Sequence, residues 1–207
     1  IFAANEEFSS LPPLALAGDA NTGIAPFPFE KNRSLKISSG AGFACGYDFP
    51  VMTGTSSAEA RVFVSGDNCT VFRALGTGGE EIGAAAFFKN CLYATVAGEW
   101  CCVTDVITPY CYYPAGNWYE IKVTVNTEKG LYDLWVDGAR RAERLKFTDK
   151  ARNFSRIEFS CDDKSEFYIN RIRAYDAADL CRGITRGEIF DIRTYGAKGN
   201  GRADDTE

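Results

Sequence analysis

The sequence contains no histidine and a single methionine in 207 residues. Without imidazole there is no Ser–His or Cys–His nucleophile pair. Cys-x-x-Cys is absent as well. Cys101 and Cys102 are adjacent rather than spaced, so the paired thiolates of a structural zinc site are missing. No apolar run approaches the ~20 residues a membrane-spanning helix needs. The first residues do not form a basic-plus-apolar signal peptide, so a secretion signal is expected to have been removed. Helical periodicity is missing beyond one turn near residues 176–181, and there is no internal repeat or low-complexity tract. Positive charge is in deficit: 23 Lys and Arg against 28 Asp and Glu give a formal charge of −5. That argues against nucleic acid and anionic membranes as partners, because phosphate binding needs clustered cations. It also weighs against a polyanionic sugar, unless a local basic patch overrides the net charge.

What is present is ordinary globular composition, with 45% hydrophobic and 25% charged residues. The length allows one sizeable core with tails. Eight cysteines is an even count, and with zinc disfavoured it predicts disulfides and hence a secreted, extracellular protein. About a hundred pairings are open for eight cysteines. Cys101 or Cys102 with Cys111 is the local candidate, and Cys45 or Cys161 with Cys181 a terminal staple; Cys69 and Cys91 complete the set. Asn32-Arg-Ser34, Asn68-Cys-Thr70 and Asn153-Phe-Ser155 are glycosylation-type sequons, a triplet common by chance.

The clearest stretch runs from Asn117 to Gly138. Tyr119, Ile121, Val123 and Val125 alternate with Glu120, Lys122, Thr124 and Asn126. After the turn Asn126-Thr-Glu-Lys-Gly130, Tyr132, Leu134 and Val136 alternate with Leu131, Asp133, Trp135 and Asp137. A period of two predicts an antiparallel hairpin with one buried and one wet face. Trp135 falls on the wet face, with Lys122, Glu120 and Asp133, and Trp118 extends the same row. A large ring on a wet face asks for a partner.

This hairpin resembles that of concanavalin A-like jelly rolls, the laminin-G-like and lectin or glucanase sandwiches often joined to secreted carbohydrate-active enzymes. Ile157-Glu-Phe159 and Phe167 to Tyr175 resemble the closing strands of that family, and the likeness covers roughly residues 30–176. It implies an all-β antiparallel sandwich of about a dozen strands. It also implies a structural calcium held by loop oxygens, for which Asp19, Asp48 and Asp176 are the candidate ligands. No other cofactor is expected.

Taken in order, residues 1–30 carry four prolines and little periodicity and read as an extended leader. Short alternating segments follow to residue 175, with turn signals about every ten residues, the spacing of a sandwich. The jelly-roll module is thus expected over 31–182. The composition then changes. Phe190-Asp-Ile-Arg-Thr-Tyr-Gly-Ala-Lys-Gly-Asn-Gly-Arg-Ala-Asp-Asp-Thr206 resembles the opening of pectate-lyase and polygalacturonase-type right-handed β-helices. Residues 183–207 are therefore read as a linker and the start of a truncated β-helix, an extended tail when alone, because a solenoid coil needs neighbours to bury its core. The resemblance makes a C-terminal β-helix of the same polypeptide the expected partner, and a glycoside hydrolase or polysaccharide lyase the expected parent.

A retaining glycosidase needs two carboxylates about 5 Å apart on one face. The Glu-x-Asp-x-Glu run that glucanases of this fold carry is absent. Glu80 and Glu81 are adjacent and point to opposite faces, and Asp162, Asp163 and Glu166 surround a turn. The fragment is expected to be non-catalytic. The candidate carbohydrate-binding residues are Trp135, Trp118, Lys122, Glu120, Asp133, Trp100, Tyr112 and Tyr113, because a pyranose offers an apolar face to an aromatic ring. Tyr93, Tyr119, Tyr132 and Tyr168 are expected in the core. Two roles are open: binding a polysaccharide or oligosaccharide, or capping, docking or oligomerising the β-helix.

Overall fold

The structure is a computed structural model that describes residues 2–7, 14–17, 21–26, 33–38, 43–64, 69–103, 113–161 and 166–176. Fifteen strands among them form two antiparallel sheets. The first sheet contains β1 (Phe2–Glu7), β3 (Asn21–Pro26), β4 (Arg33–Ser38), β6 (Thr55–Val64), β11 (Asn117–Asn126), β12 (Leu131–Val136), β13 (Ala139–Lys146) and β15 (Glu166–Asp176). Its order is β13-β12-β11-β6-β15-β4-β3, with β1 paired to the second half of β15. The second sheet contains β2 (Leu14–Ala17), β5 (Phe43–Met52), β7 (Thr70–Leu75), β8 (Glu81–Phe88), β9 (Cys91–Val96), β10 (Glu99–Cys102) and β14 (Phe154–Cys161). Its order is β10-β9-β8-β7-β14-β5-β2. No helix among the described residues is long and apolar enough to cross a membrane.

The alternation seen in the sequence is the burial pattern of the strands. Tyr119, Ile121, Val123, Val125, Tyr132, Leu134 and Val136 are all buried, and β6 contributes Ala58, Ala60, Val62 and Val64 beside them. They meet Phe72, Ile82, Ala85, Phe87, Leu92, Ile157 and Phe159 of the second sheet. Phe87 stacks on Tyr119 across the core at 4.9 Å, and within the second sheet Phe72 meets its register partner Phe159 edge-on at 5.4 Å. Aromatic pairs at these separations add to plain area burial.

Four details differ from the sequence reading. The leader does more than lie against the domain: β1, β2 and β3 are laddered into both sheets. Strand β5 runs on through Pro50, a residue that ordinarily interrupts a strand ladder. The ladder to β14 shifts between Phe154 and Arg156, and β2 pairs only as far as Tyr47, so the missing N–H of Pro50 falls where no regular ladder bond is called for. Tyr93 and Tyr168 are only half-buried, on the outer faces of their sheets.

Disulfides are the fourth. Cys45, Cys69, Cys91, Cys101, Cys102 and Cys161 form no disulfide among the described residues, and Cys111 and Cys181 lie outside them. The register gives the reason. Cys45 faces Phe159, which leaves Cys161 two residues along on the neighbouring strand. Cys102 faces Tyr93, which leaves Cys91 in the same diagonal relation. Diagonal neighbours are about 7–8 Å apart, beyond ordinary disulfide reach. Cys101 and Cys102 point to opposite faces of an edge strand.

Candidate functional site

Five of the eight sequence candidates come together on the outer face of the first sheet. Strand β11 pairs with β12 and β6, and β6 pairs with β15, so their outward residues form rows across four strands. One row reads Arg140, Trp135, Lys122, Glu59, Arg173. The next runs Glu120, Arg61, Arg171, and the one after it Trp118, Phe63, Tyr168. Asp133 lies one row to the other side, opposite Thr124.

Lys122 sits directly across from Trp135, with Nζ 4.5 Å from the ring centroid, and the Arg140 guanidinium approaches the same ring at 5.8 Å. The Trp135 Nε1 is covered and has no hydrogen-bond acceptor among the described residues. Trp118 packs on Phe63 at 5.6 Å, and Phe63 on Tyr168 at 6.1 Å. Arg61 lies over the Trp118 ring at 5.4 Å. Both tryptophans are half-buried and both carry a cation, an arrangement worth roughly 0.5–1 kcal/mol at an exposed site.

The carboxylates of the patch are engaged by arginines from another strand. Arg171 donates to Glu120 at 2.5 Å, and Arg173 lies 3.5 Å from Glu59. The Tyr175 hydroxyl donates to Glu59 at 3.2 Å. Burial, followed by the nearby Glu59 carboxylate, pushes the Tyr175 phenol up to about 12. Asp133 accepts from the Arg144 backbone N–H at 2.7 Å and lies 3.9 Å from Arg140. The Glu120–Arg171 pair reaches across β6, which separates their strands. Arg61, between them in register, lies on Trp118 instead.

The remaining candidates are elsewhere. Tyr113 is in the core, 4% exposed, edge-on to Phe87 and Tyr119, so its face is not offered to a ligand. Trp100 is 47% exposed on β10, the edge of the second sheet. Tyr112 lies outside the described residues. Of the calcium candidates, Asp19 is also outside them. Asp48 stands on the second sheet beside Arg156 at 3.6 Å, and Asp176 ends β15 of the first sheet. No group of three or more potential metal-ligating side chains occurs among the described residues.

Arg61, Phe63, Arg171 and Arg173 belong to the patch and were not singled out from the sequence. The alternation of 58–64 already placed Arg61 and Phe63 on one face. What the sequence does not carry is that β6 lies between β11 and β15. A groove of about 680 Å³ lies at the β11–β12 turn, lined in part by Thr127, Lys129, Lys146, Asp149 and Arg152. None of the sequence candidates lines it.

No family model matches the chain, and no curated protein matches it. Solved structures do. A sialidase matches with a TM-score of 0.57 at 12% identity, over 77% of this chain and 17% of its own, so the chain spans under a fifth of that protein's length. A protein of unknown function with a galectin-like fold from Bacillus subtilis matches with a TM-score of 0.57 at 11% identity, over 84% of this chain and 96% of its own. A carbohydrate esterase from Shiga toxin-encoding bacteriophage phi24B matches with a TM-score of 0.54 at 9% identity, over 79% and 89%. At such identities these likenesses concern the fold: the chain is an antiparallel β-sandwich of the galectin-like, jelly-roll kind.

Proposed function

We propose that this chain is a non-catalytic carbohydrate-binding module that engages a polysaccharide or oligosaccharide on the outer face of its first sheet. The observation that carries the reading is the Lys122–Trp135 pair, a large ring and a cationic donor held side by side on an outward face. A sugar is bound by apolar contact with its C–H face and by hydrogen bonds to its hydroxyls, and this patch supplies both within two rows of one sheet. Two proteins of similar fold are named for carbohydrate chemistry, the sialidase and the phage carbohydrate esterase. The segment at 190–206 supports a parent of pectinase type, a secreted glycoside hydrolase or polysaccharide lyase acting outside the cell, with its β-helix as the covalent partner. Binding rather than cleavage is supported by the absence of histidine and by the engagement of Glu59 and Glu120 by arginines.

A glycan array probed with the 207-residue chain tests this. Retention on at least one plant or microbial polysaccharide is expected. No retention on any of them, by folded protein, overturns it.

The docking reading has one observation of its own. Among the described residues, strand β10 pairs only with β9, all four of its residues are exposed, and Trp100 is one of them. An open edge bearing a large ring is a template for another segment. Loss of solubility of the β-helix when residues 1–182 are deleted from the parent would favour it.

A further inference from the structure

On β11, β6 and β15 the two central rows of the patch hold four cations, Arg61, Lys122, Arg171 and Arg173, against two carboxylates, Glu59 and Glu120. This local excess sits in a chain of formal charge −5. Its distribution is uneven. Arg171 is engaged by Glu120 and Arg173 by Glu59. Lys122 and Arg61 are register neighbours of those same carboxylates, Lys122 of Glu59 and Arg61 of Glu120, yet neither forms an ion pair among the described residues. Their contacts are with rings, Lys122 on Trp135 and Arg61 on Trp118. A cation on an indole face is held in place and partly stripped of water, while its N–H donors remain unspent. The two side chains are diagonal neighbours on adjacent strands, about 7–8 Å apart at the backbone.

We infer that the sugar bound here carries carboxylates, and that Lys122 and Arg61 are the groups that recognise them. The inference rests on the carbohydrate-binding reading and narrows it to an acidic, uronate-type glycan. Two cations that form no ion pair among the described residues, side by side in a field of net positive sign, complement an anion better than a neutral pyranose. Carboxylate is the fitting anion because Arg offers it a planar, bidentate fork and Lys a point charge. Trp135 and Trp118 then have a positioning role as well, fixing the cations on the sheet beside the ring surface that meets the sugar.

The test uses the whole chain and three probes: a glucuronic acid-containing oligosaccharide, the same oligosaccharide with its carboxyls reduced to alcohols, and dextran sulfate. Calorimetric titration at low salt is expected to show the carboxylated probe binding at least about tenfold tighter than its reduced form, the worth of one charge-assisted hydrogen bond. That advantage should shrink at high salt. Lys122→Gln and Arg61→Gln should each reduce the ratio between the two probes by about threefold or more, and Lys122→Arg should restore most of it. Circular dichroism checks that each variant is folded. Equal binding of both oligosaccharides overturns the carboxylate inference and leaves the carbohydrate reading standing. Failure of both to bind overturns the two together. Binding of dextran sulfate alone, indifferent to the two substitutions, marks a non-selective polyanion effect and also overturns the inference.

Discussion

The ring of Tyr132, on the first sheet, occupies the space that a side chain at Gly83 would need on the second. A Cβ built on Gly83 would collide with Cε1, Cζ and Cδ1 of Tyr132. From there the hydroxyl donates to the Thr95 carbonyl at 2.5 Å, and the Ala84 carbonyl lies 3.4 Å away. One tyrosine thus bridges the two layers, with an apolar body in the core and its polar tip between β8 and β9. Gly83→Ala should cost about 1–3 kcal/mol by overpacking. Tyr132→Phe should cost a similar amount, about 1–3 kcal/mol, by stranding buried carbonyls. Adding Tyr132→Leu to Gly83→Ala should cost less than the two separate losses, because the collision is gone. Urea unfolding of the parent and the four variants, Tyr132→Leu alone among them, checks this. A Gly83→Ala variant as stable as the parent would mean that the two layers do not meet there.

Alkaline pH should unfold the protein through its buried phenols. Burial pushes Tyr132 up to about 12, and burial with the Glu59 carboxylate does the same for Tyr175, from an ordinary 10.0. The folded state therefore keeps these protons after the unfolded chain has released them. Their contribution to stability is fully present below pH 10 and is lost progressively as pH rises toward 12. A spectrophotometric titration should show at least two of the ten tyrosines ionising late, together with loss of near-ultraviolet circular dichroism. Ionisation of every tyrosine near pH 10 with the fold intact would contradict the buried placements.

Cys45 should be chemically silent in the folded protein. It is fully buried, and burial drives its thiol up to about 12, with the Arg156 guanidinium only partly offsetting this. Thiolate is the reactive species. Iodoacetamide at pH 8 should label the exposed Cys101 quickly and Cys45 only after unfolding, without a reductant in either case. Labelling of Cys45 as fast as Cys101 in the folded protein would overturn its burial.

The hairpin at 117–138 was legible because both of its strands alternate without interruption, and burial follows that parity residue by residue. The same logic sorted the faces of β6. Where alternation stops, legibility stops with it. Tyr113 precedes the strand, and its place between Phe87 and Tyr119 depends on a turn that no period describes. The pairing of the cysteines depends on register between strands distant in sequence, which an even count does not carry: it does not reveal that Cys45 and Cys161 stand diagonally, and the bridges expected to Cys111 and Cys181 reach outside the described residues. The net charge pointed away from acidic ligands. The local excess around Lys122 arises only when β6 is inserted between β11 and β15. The strands at 2–7, 14–17 and 21–26 carry too few alternating residues to announce themselves.

The most direct test of the site is the affinity of Trp135→Ala for whichever glycan the intact chain retains, measured on protein whose unfolding midpoint is recorded alongside. Trp135 is half-buried and its Nε1 makes no hydrogen bond, so its removal should cost the fold about 1 kcal/mol or less, the worth of its cation contacts. It should cost about 1–3 kcal/mol of binding, the range seen when aromatic stacking platforms are truncated. Unchanged affinity with a destabilised fold, by the several kcal/mol typical of a core tryptophan, would show that the ring serves packing and that the sugar binds elsewhere.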